Sequence, residues 1–318
     1  MTQYFIAGID IGGTKIAVAI ASPAGAVIAR TSFPTDIEGS PGESLTQAVE
    51  ALTALAETHQ GQLTSVGIAC AGPLDFELGN VLSPPNMPRS WQNFPLRSFV
   101  ENKLNVPVEL DNDANAAALG ERIYGAGRGY GDLVYITIST GIGVGILSGG
   151  KVVHRLGEGG HVTVQPGGEL CGCGARGCME GLCSGSGIAR RAQAQLHSGR
   201  ASRLLEMVAD VSQITARTVE DAARAGDEVA TEVWGETVEL LAIGIGSIMV
   251  LLAPQAVILG GGVTAGAGEF LLAPLRAAIA RRVQIISVEA RPLLQAALGG
   301  DSALHGALVL AVRALLRT

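Results

Sequence analysis

The chain has 318 residues, more than one hydrophobic core usually organises, so two packed domains are expected. Its 22 basic and 29 acidic side chains leave a net charge of −7, and no run gathers Lys and Arg into a stripe, which disfavours nucleic-acid and anionic-membrane partners. Hydrophobic residues at 47% exclude a disordered chain, and 44 glycines, about twice the usual share, require many turns suited to glycine.

Residues 1–14 carry no Lys or Arg and include Asp10, unlike a secretory signal, so a cytoplasmic protein is expected. Residues 4–9 are apolar and β-prone, stop at Asp10-Ile-Gly-Gly-Thr14 and resume over 15–20, which reads as strand, glycine turn and strand. A third strand over 27–33, an amphipathic helix over 44–58, a strand over 65–70, a Pro-rich loop over 82–95, a strand over 106–110 and an Ala-rich helix from near Asn112 follow, an α/β alternation. Residues 133–138 run into Ser139-Thr-Gly-Ile-Gly143 and out through 144–147. The same device thus occurs twice, and an internal duplication with one phosphate-holding hairpin per half is expected. After a Cys/Gly-rich insertion, helices occupy about 184–254. Residues 240–259 carry no charge and could cross a bilayer of about 30 Å. Pro254 interrupts them, so they read as a buried helix followed by a strand over 256–259. Gly260-Gly-Gly262 reads as a tight turn, and 303–316 as a last amphipathic helix.

Three constellations carry chemistry. The two glycine turns offer backbone N–H groups where no Cβ blocks an oxyanion, the requirement for cradling phosphate, and Asp10 could hold the water shell of Mg²⁺; an ordinary capped turn is the alternative. Asp111-Asn112-Asp113-Ala-Asn115 lies where a strand ends and a helix begins. Asp113 there is a candidate general base, with Asn112 its hydrogen-bonding partner, and the alternative is that the polar groups only cap the helix. A carboxylate at that point feels the positive helix end, which should keep it ionised. His161, Cys171, Cys173 and Cys178 offer one imidazole and three thiols, the complement of a closed Zn²⁺ site. Cys183 leaves open an all-Cys alternative; otherwise it and Cys70 read as buried free thiols, and His154 as a surface imidazole.

Taken in order, Asp10-Ile-Gly-Gly-Thr-Lys15, Asn112-Asp113, Ser139-Thr-Gly-Ile-Gly143, Glu158-Gly-Gly-His161, Cys171-Gly-Cys-Gly-Ala-Arg-Gly-Cys-Met-Glu180 and Gly260-Gly-Gly262 resemble the signature of the ROK (repressor, open reading frame, kinase) sugar kinases over almost the whole chain. The resemblance implies a two-domain actin-like ATPase (ribonuclease H-like) α/β fold with an inter-domain cleft for a hexose and MgATP, as a homodimer or higher homo-oligomer. The expected small domain is 1–118 completed by 302–318; the larger is 119–301, with a zinc-binding loop at 158–183. By position, Asp113 matches the catalytic base, and Gly72, Asn86, Asn112, Glu158, His161 and Glu180 match sugar contacts. Asp10, Gly12, Gly13, Thr14, Lys15, Ser139, Thr140, Gly141, Gly143, Gly260, Gly261 and Gly262 match the ATP and Mg²⁺ side. Zinc on His161 and the three cysteines would be structural. The context of Asn86, Gly72-Pro73-Leu74-Asp75 and Glu-x-Gly-His looks most like glucokinases, phosphorylating the 6-hydroxyl of glucose. N-acetylmannosamine or N-acetylglucosamine kinase is the alternative. The rival from another class is a sugar-sensing repressor, whose helix-turn-helix domain would precede the first glycine loop; here nine residues precede Asp10.

Overall fold

The computed structural model describes residues 3–36, 39–82, 89–153 and 157–317; Asn86 and His154 lie outside them. The chain divides into two compact units, one of residues 1–131, 145–156 and 301–318, the other of residues 132–144 and 157–300.

In the first unit β1 (Gln3–Ile11) and β2 (Lys15–Ala21) form the expected hairpin, and β3 (Val27–Pro34) extends it antiparallel. α1 (Pro41–Thr58) starts three residues before the apolar periodicity does. Ser40 and Glu43 make a capping box there: the Ser40 hydroxyl accepts from the Glu43 N–H at 3.3 Å and the Glu43 carboxylate from the Ser40 N–H at 3.0 Å. β4 (Gly61–Cys70) lies parallel to β1, followed by the short hairpin of β5 (Leu74–Asp75) and β6 (Asn80–Val81). α2 (Leu96–Leu104) was not expected, because it buries only Leu96 and Val100, too few for an apolar stripe. β7 (Val108–Asn112) pairs parallel with β4 and runs directly into α3 (Asp113–Tyr124).

The second half begins with β8 (Leu133–Ile138), β9 (Ile142–Ser148) and β10 (Lys151–Val152). The helices α4 (Met179–Cys183), α5 (Gly185–His197), α6 (Leu204–Met207), α7 (Ala216–Arg224) and α8 (Glu228–Leu252) come next. β11 (Ala256–Gly260), α9 (Gly261–Ala267), α10 (Glu269–Arg282), β12 (Leu293–Gln295) and α11 (Ser302–Leu316) complete the chain. The tight turn expected at Gly260–Gly262 is instead a strand-to-helix junction: Gly260 closes β11 and Gly261, at φ +85°, opens α9. Three glycines announce the change of direction but carry no side chains from which a helix could be read.

The two sheets repeat one order, β3-β2-β1-β4-β7 and β10-β9-β8-β11-β12, with parallel pairs β1/β4 and β4/β7 matched by β8/β11 and β11/β12. In the first unit one face of the sheet packs Ile9, Ile11 and Ile68 against Leu45 and Leu52 of α1 and against the fully buried Trp91. Each such aliphatic side chain contributes about 1.5–3 kcal/mol. The other face receives α11, through Leu304, Leu308 and Ala311 on Ile6, Ala19 and Ala21. α11 also packs on α3, so closely that a methyl group at Gly306 would strike the carbonyl of Ala116. These layers hold the ends of β1, β4 and β7 level: Asp10, Ala69 and Asp111 share one row, Ile11, Cys70 and Asn112 the next.

Among the described residues α8 alone is, as a single helix, long and apolar enough to cross a membrane by length and composition, and 56% of its apolar window is buried. It packs on α4, α5, α7 and α10, and Pro254 separates it from β11, as the sequence reading expected. α9 and α10, bent by 102°, pass the same test only if taken as one span.

Candidate active site

In the first unit the turn after β1 is closed by the Gly12 N–H donating to the Lys15 carbonyl at 3.0 Å. Thr35 braces it from beyond β3: its hydroxyl donates to the Gly12 carbonyl at 2.7 Å and its N–H to the Thr14 carbonyl at 3.0 Å. Asp10 belongs to β1 itself, one residue further along the strand than the sequence suggests. Burial and the nearby Asp113 push its carboxyl up to about 7, against the opposing pull of Lys15.

Asn112 is the cap of α3, its side-chain oxygen accepting from the Ala114 N–H at 2.9 Å; Asp113 accepts from the same N–H at 2.8 Å. Asp111 points the other way into the interior, accepting from the Asn115 side-chain amide at 2.9 Å and the Asn112 N–H at 2.8 Å. The three polar groups thus divide: Asp111 is structural, Asn112 caps, and Asp113 shares the capped N–H through one oxygen without being the cap itself. Burial raises the Asp113 carboxyl above its ordinary range; the donors at the helix start oppose that shift without cancelling it. The helix end therefore does not dominate as expected, because desolvation outweighs it. Gly72 abuts this cluster, at 3.0 Å from the Asn112 amide nitrogen to a Cβ placed on it. Cys70, wholly buried beside the two carboxylates, is a thiol driven strongly upward by burial, so it is an inert neighbour.

In the second unit the turn between β8 and β9 is closed by the Ser139 N–H donating to the Gly141 carbonyl at 2.9 Å, and the Gly185 N–H at the start of α5 donates to the Ser139 carbonyl at 2.7 Å. Ser139, Thr140 and Gly262 line one cavity of about 530 Å³, together with Gly185 and with Thr215, Arg217 and Glu220 around α7. Gly141, Gly143, Gly260 and Gly261 do not line it. A methyl group at Gly260 would strike the Tyr135 hydroxyl, and one at Gly261 the Ile138 carbonyl, so these glycines allow close packing instead. The sequence reading missed the α5 and α7 walls; Ser184-Gly-Ser-Gly187 and the capping Thr215 were the available signals.

His161, Cys171, Cys173 and Cys178 converge, their ligand atoms all within 4.8 Å of one another. Zn–S bonds of about 2.3 Å and Zn–N bonds of about 2.0 Å set tetrahedral edges of about 3.8 Å between sulfurs and about 3.5 Å from sulfur to nitrogen. The Cys173–Cys178 sulfurs stand 3.7 Å apart, and Cys171 Sγ is 3.6 Å from His161 Nδ1, so the donor set fits a tetrahedral ion. Burial and the neighbouring thiols push the Cys178 thiol up to about 12, a cost that a central cation reverses. Cys183 lies outside the cluster, its thiol 3.9 Å from the Thr237 carbonyl. The other ring nitrogen of His161 faces Glu180, Nε2 to Oε1 at 3.8 Å, while Glu158 is exposed just before the short turn Gly159–His161.

The ROK family model matches residues 6–314. A glucokinase of Thermotoga maritima is 34% identical over 280 residues, 87% of each chain. An N-acetylmannosamine kinase of Shigella boydii is 36% identical over 310 residues, 95% of this chain and 97% of that one. A xylose repressor of Caldicellulosiruptor bescii is 32% identical over 87% of this chain and 70% of that one. The structure of a Streptomyces griseus ROK glucokinase with glucose and AMPPNP superposes with a TM-score of 0.79 at 36% identity, covering 97% of this chain and 99% of that chain.

Proposed function

Because the chain belongs to the ROK family, with the actin-like ATPase fold of its sugar kinases, we propose that it is an ATP-dependent sugar kinase that transfers the γ-phosphoryl group to the 6-hydroxyl of glucose. The observation that carries this reading is Asp113: a half-buried carboxylate that opens α3 where β7 ends, one residue beyond the Asn112 cap, with its affinity for a proton raised. Such a group suits a general base, which works best when its pKa approaches the working pH. Asp113 would take the proton of the attacking hydroxyl. Asn112, whose oxygen is committed to the α3 cap, holds its amide against the Asp113 carboxylate beside Gly72, so that it would position the base and offer its second N–H to the sugar. Glu158, His161 and Glu180 supply further sugar contacts from the second unit; Asn86 enters the same list from sequence alone.

Phosphoryl transfer asks mainly for positioning and charge neutralisation, and no nucleophilic side chain is needed. The Gly12–Lys15 and Ser139–Gly143 turns would hold phosphates, and the cavity at Ser139, Thr140 and Gly262 would take the adenosine. Asp10 suits the water shell of Mg²⁺, since a cation there would offset the burial and the repulsion from Asp113 that raise its pKa. Bound Mg²⁺ supplies neutralisation of the phosphate charge. Zinc, held by His161, Cys171, Cys173 and Cys178, would be structural and fix the loop presenting His161 and Glu180.

N-acetylmannosamine is the second reading, favoured by the 36% identity to a kinase of that name. A coupled assay across glucose, mannose, fructose and both N-acetylhexosamines decides: glucose should give the highest kcat/KM, and a higher value for N-acetylmannosamine would transfer the assignment. The absence of phosphorylation with every sugar would leave the regulator class instead.

A further inference from the structure

Ile142, the first residue of β9, is gripped at both of its peptide groups by the segments that carry the candidate sugar contacts. Its N–H donates to Glu180 Oε2 at 2.9 Å. On its other side the Gly160 backbone lies so near that a methyl group there would collide with the Ile142 carbonyl oxygen, and a methyl at Gly159 would stand 2.8 Å from the Val144 side chain. The second Glu180 oxygen faces His161 Nε2 at 3.8 Å. α4, which carries Glu180, is itself pinned from α5: Arg190 donates to the Gly181 carbonyl at 2.5 Å, and the buried Arg191 to the Leu182 and Val233 carbonyls at 3.0 and 2.6 Å. With its helix fixed, Glu180 has one adjustable element, its carboxylate, and that carboxylate spans from His161 to the residue that directly follows the Ser139–Gly141 turn.

We propose that Glu180 is a positioning residue for the phosphate-side turn, so that a sugar seated on His161 and Glu180 orders Ser139–Ile142 before the nucleotide engages it. The link is a charge-assisted hydrogen bond, roughly twice as strong as a neutral one. The glycines of Glu158-Gly-Gly-His161 then have a physical task, since any larger residue would lift the sugar segment off β9. The inference rests on the reading that this unit carries a hexose and phosphates.

The test is amide hydrogen exchange over residues 139–144 in the full chain, with and without glucose and without nucleotide, in the natural protein, Glu180→Gln and Glu180→Ala. Without ligand, Ile142 should exchange at least about tenfold faster in Glu180→Ala than in the natural protein, while Glu180→Gln, which keeps an oxygen acceptor, stays close to it. Glucose should slow Ile142 further in the natural protein and the glutamine variant. In calorimetric titrations it should also tighten Mg·AMPPNP binding about fivefold or more in both, and leave it unchanged in Glu180→Ala. Zinc content, measured on the same samples, should be equal throughout. Equal Ile142 exchange in the ligand-free natural protein and Glu180→Ala overturns the proposal, whether or not that variant still binds glucose. Protection of 158–161 and 178–183 by glucose with Ile142 indifferent overturns it too. Glucose that protects none of these segments in the natural protein overturns the glucose reading, and the proposal with it.

Discussion

The two glycine hairpins share strand order and turn chemistry, yet they are braced by different means and keep different company. The first is held by one threonine just beyond β3, and its strand end carries Asp10 close to Asp113. The second is held from α5 by Gly185 and from α4 by Glu180, beside the zinc-type cluster, and its strand ends in Ile138 with no carboxylate. One fold element thus serves two tasks. The first hairpin borders the proposed cation and proton-transfer chemistry, while the second is tied to the segments that would recognise the sugar.

The comparison breaks first at Asp113. Asp113→Asn should lower kcat by about 10²-fold or more while leaving the dissociation constant for glucose nearly unchanged; full turnover in this variant would return Asp113 to the role of a helix cap. In the natural protein, activity should fall as pH drops through the raised Asp113 pKa, an acid limb above the ordinary carboxylate range. On the second hairpin's side, Cys173→Ser should lose the metal and most activity, whereas Cys183→Ser should retain both; zinc analysis with activity on the purified variants tests this, and metal loss in the Cys183 variant would favour the all-Cys set.

Asp10 sharpens the contrast through stability. Its folded pKa of about 7 lies above that of the unfolded chain, so the folded state holds a proton that the unfolded state has released. The resulting stabilisation is present at the acid end of that window and is lost as pH rises through about 7. The Tm of the ligand-free protein should therefore fall between pH 5 and 8, and Asp10→Asn should flatten that slope; an unchanged slope would place the titrating group elsewhere. The smallest effect belongs to Thr35→Val, which removes one brace of the first turn. A loss of about 1 kcal/mol and a several-fold rise in KM for ATP, with KM for glucose unchanged, are expected from kinetics and denaturant unfolding.

Much of this protein is legible in the sequence because the relevant signals are local. The alternation of apolar runs with glycine turns specified both hairpins, and the capped, Ala-rich segment after Asn112 specified α3. The 161–178 spacing specified the candidate metal set, though only the folded loop separates Cys183 from it. α2, with two buried positions, and α9, opened by glycines, left no periodic trace. Which of Asp111, Asn112 and Asp113 is free for chemistry was equally invisible, since adjacent polar residues look alike until a strand end and a helix start turn one inward and another outward.

By itself, then, the sequence determined the family, the α/β alternation and the inventory of chemical groups, because these depend on residue type at short spacing. Tertiary structure alone decided the contacts between distant segments: Thr35 under the first turn, α7 beside Ser139 and Thr140, and Glu180 on Ile142, 38 positions away. No periodicity encodes such pairs. They exist only once buried sheets and helices have fixed where the chain returns, and hydrogen bonds form between whichever groups that packing brings within reach.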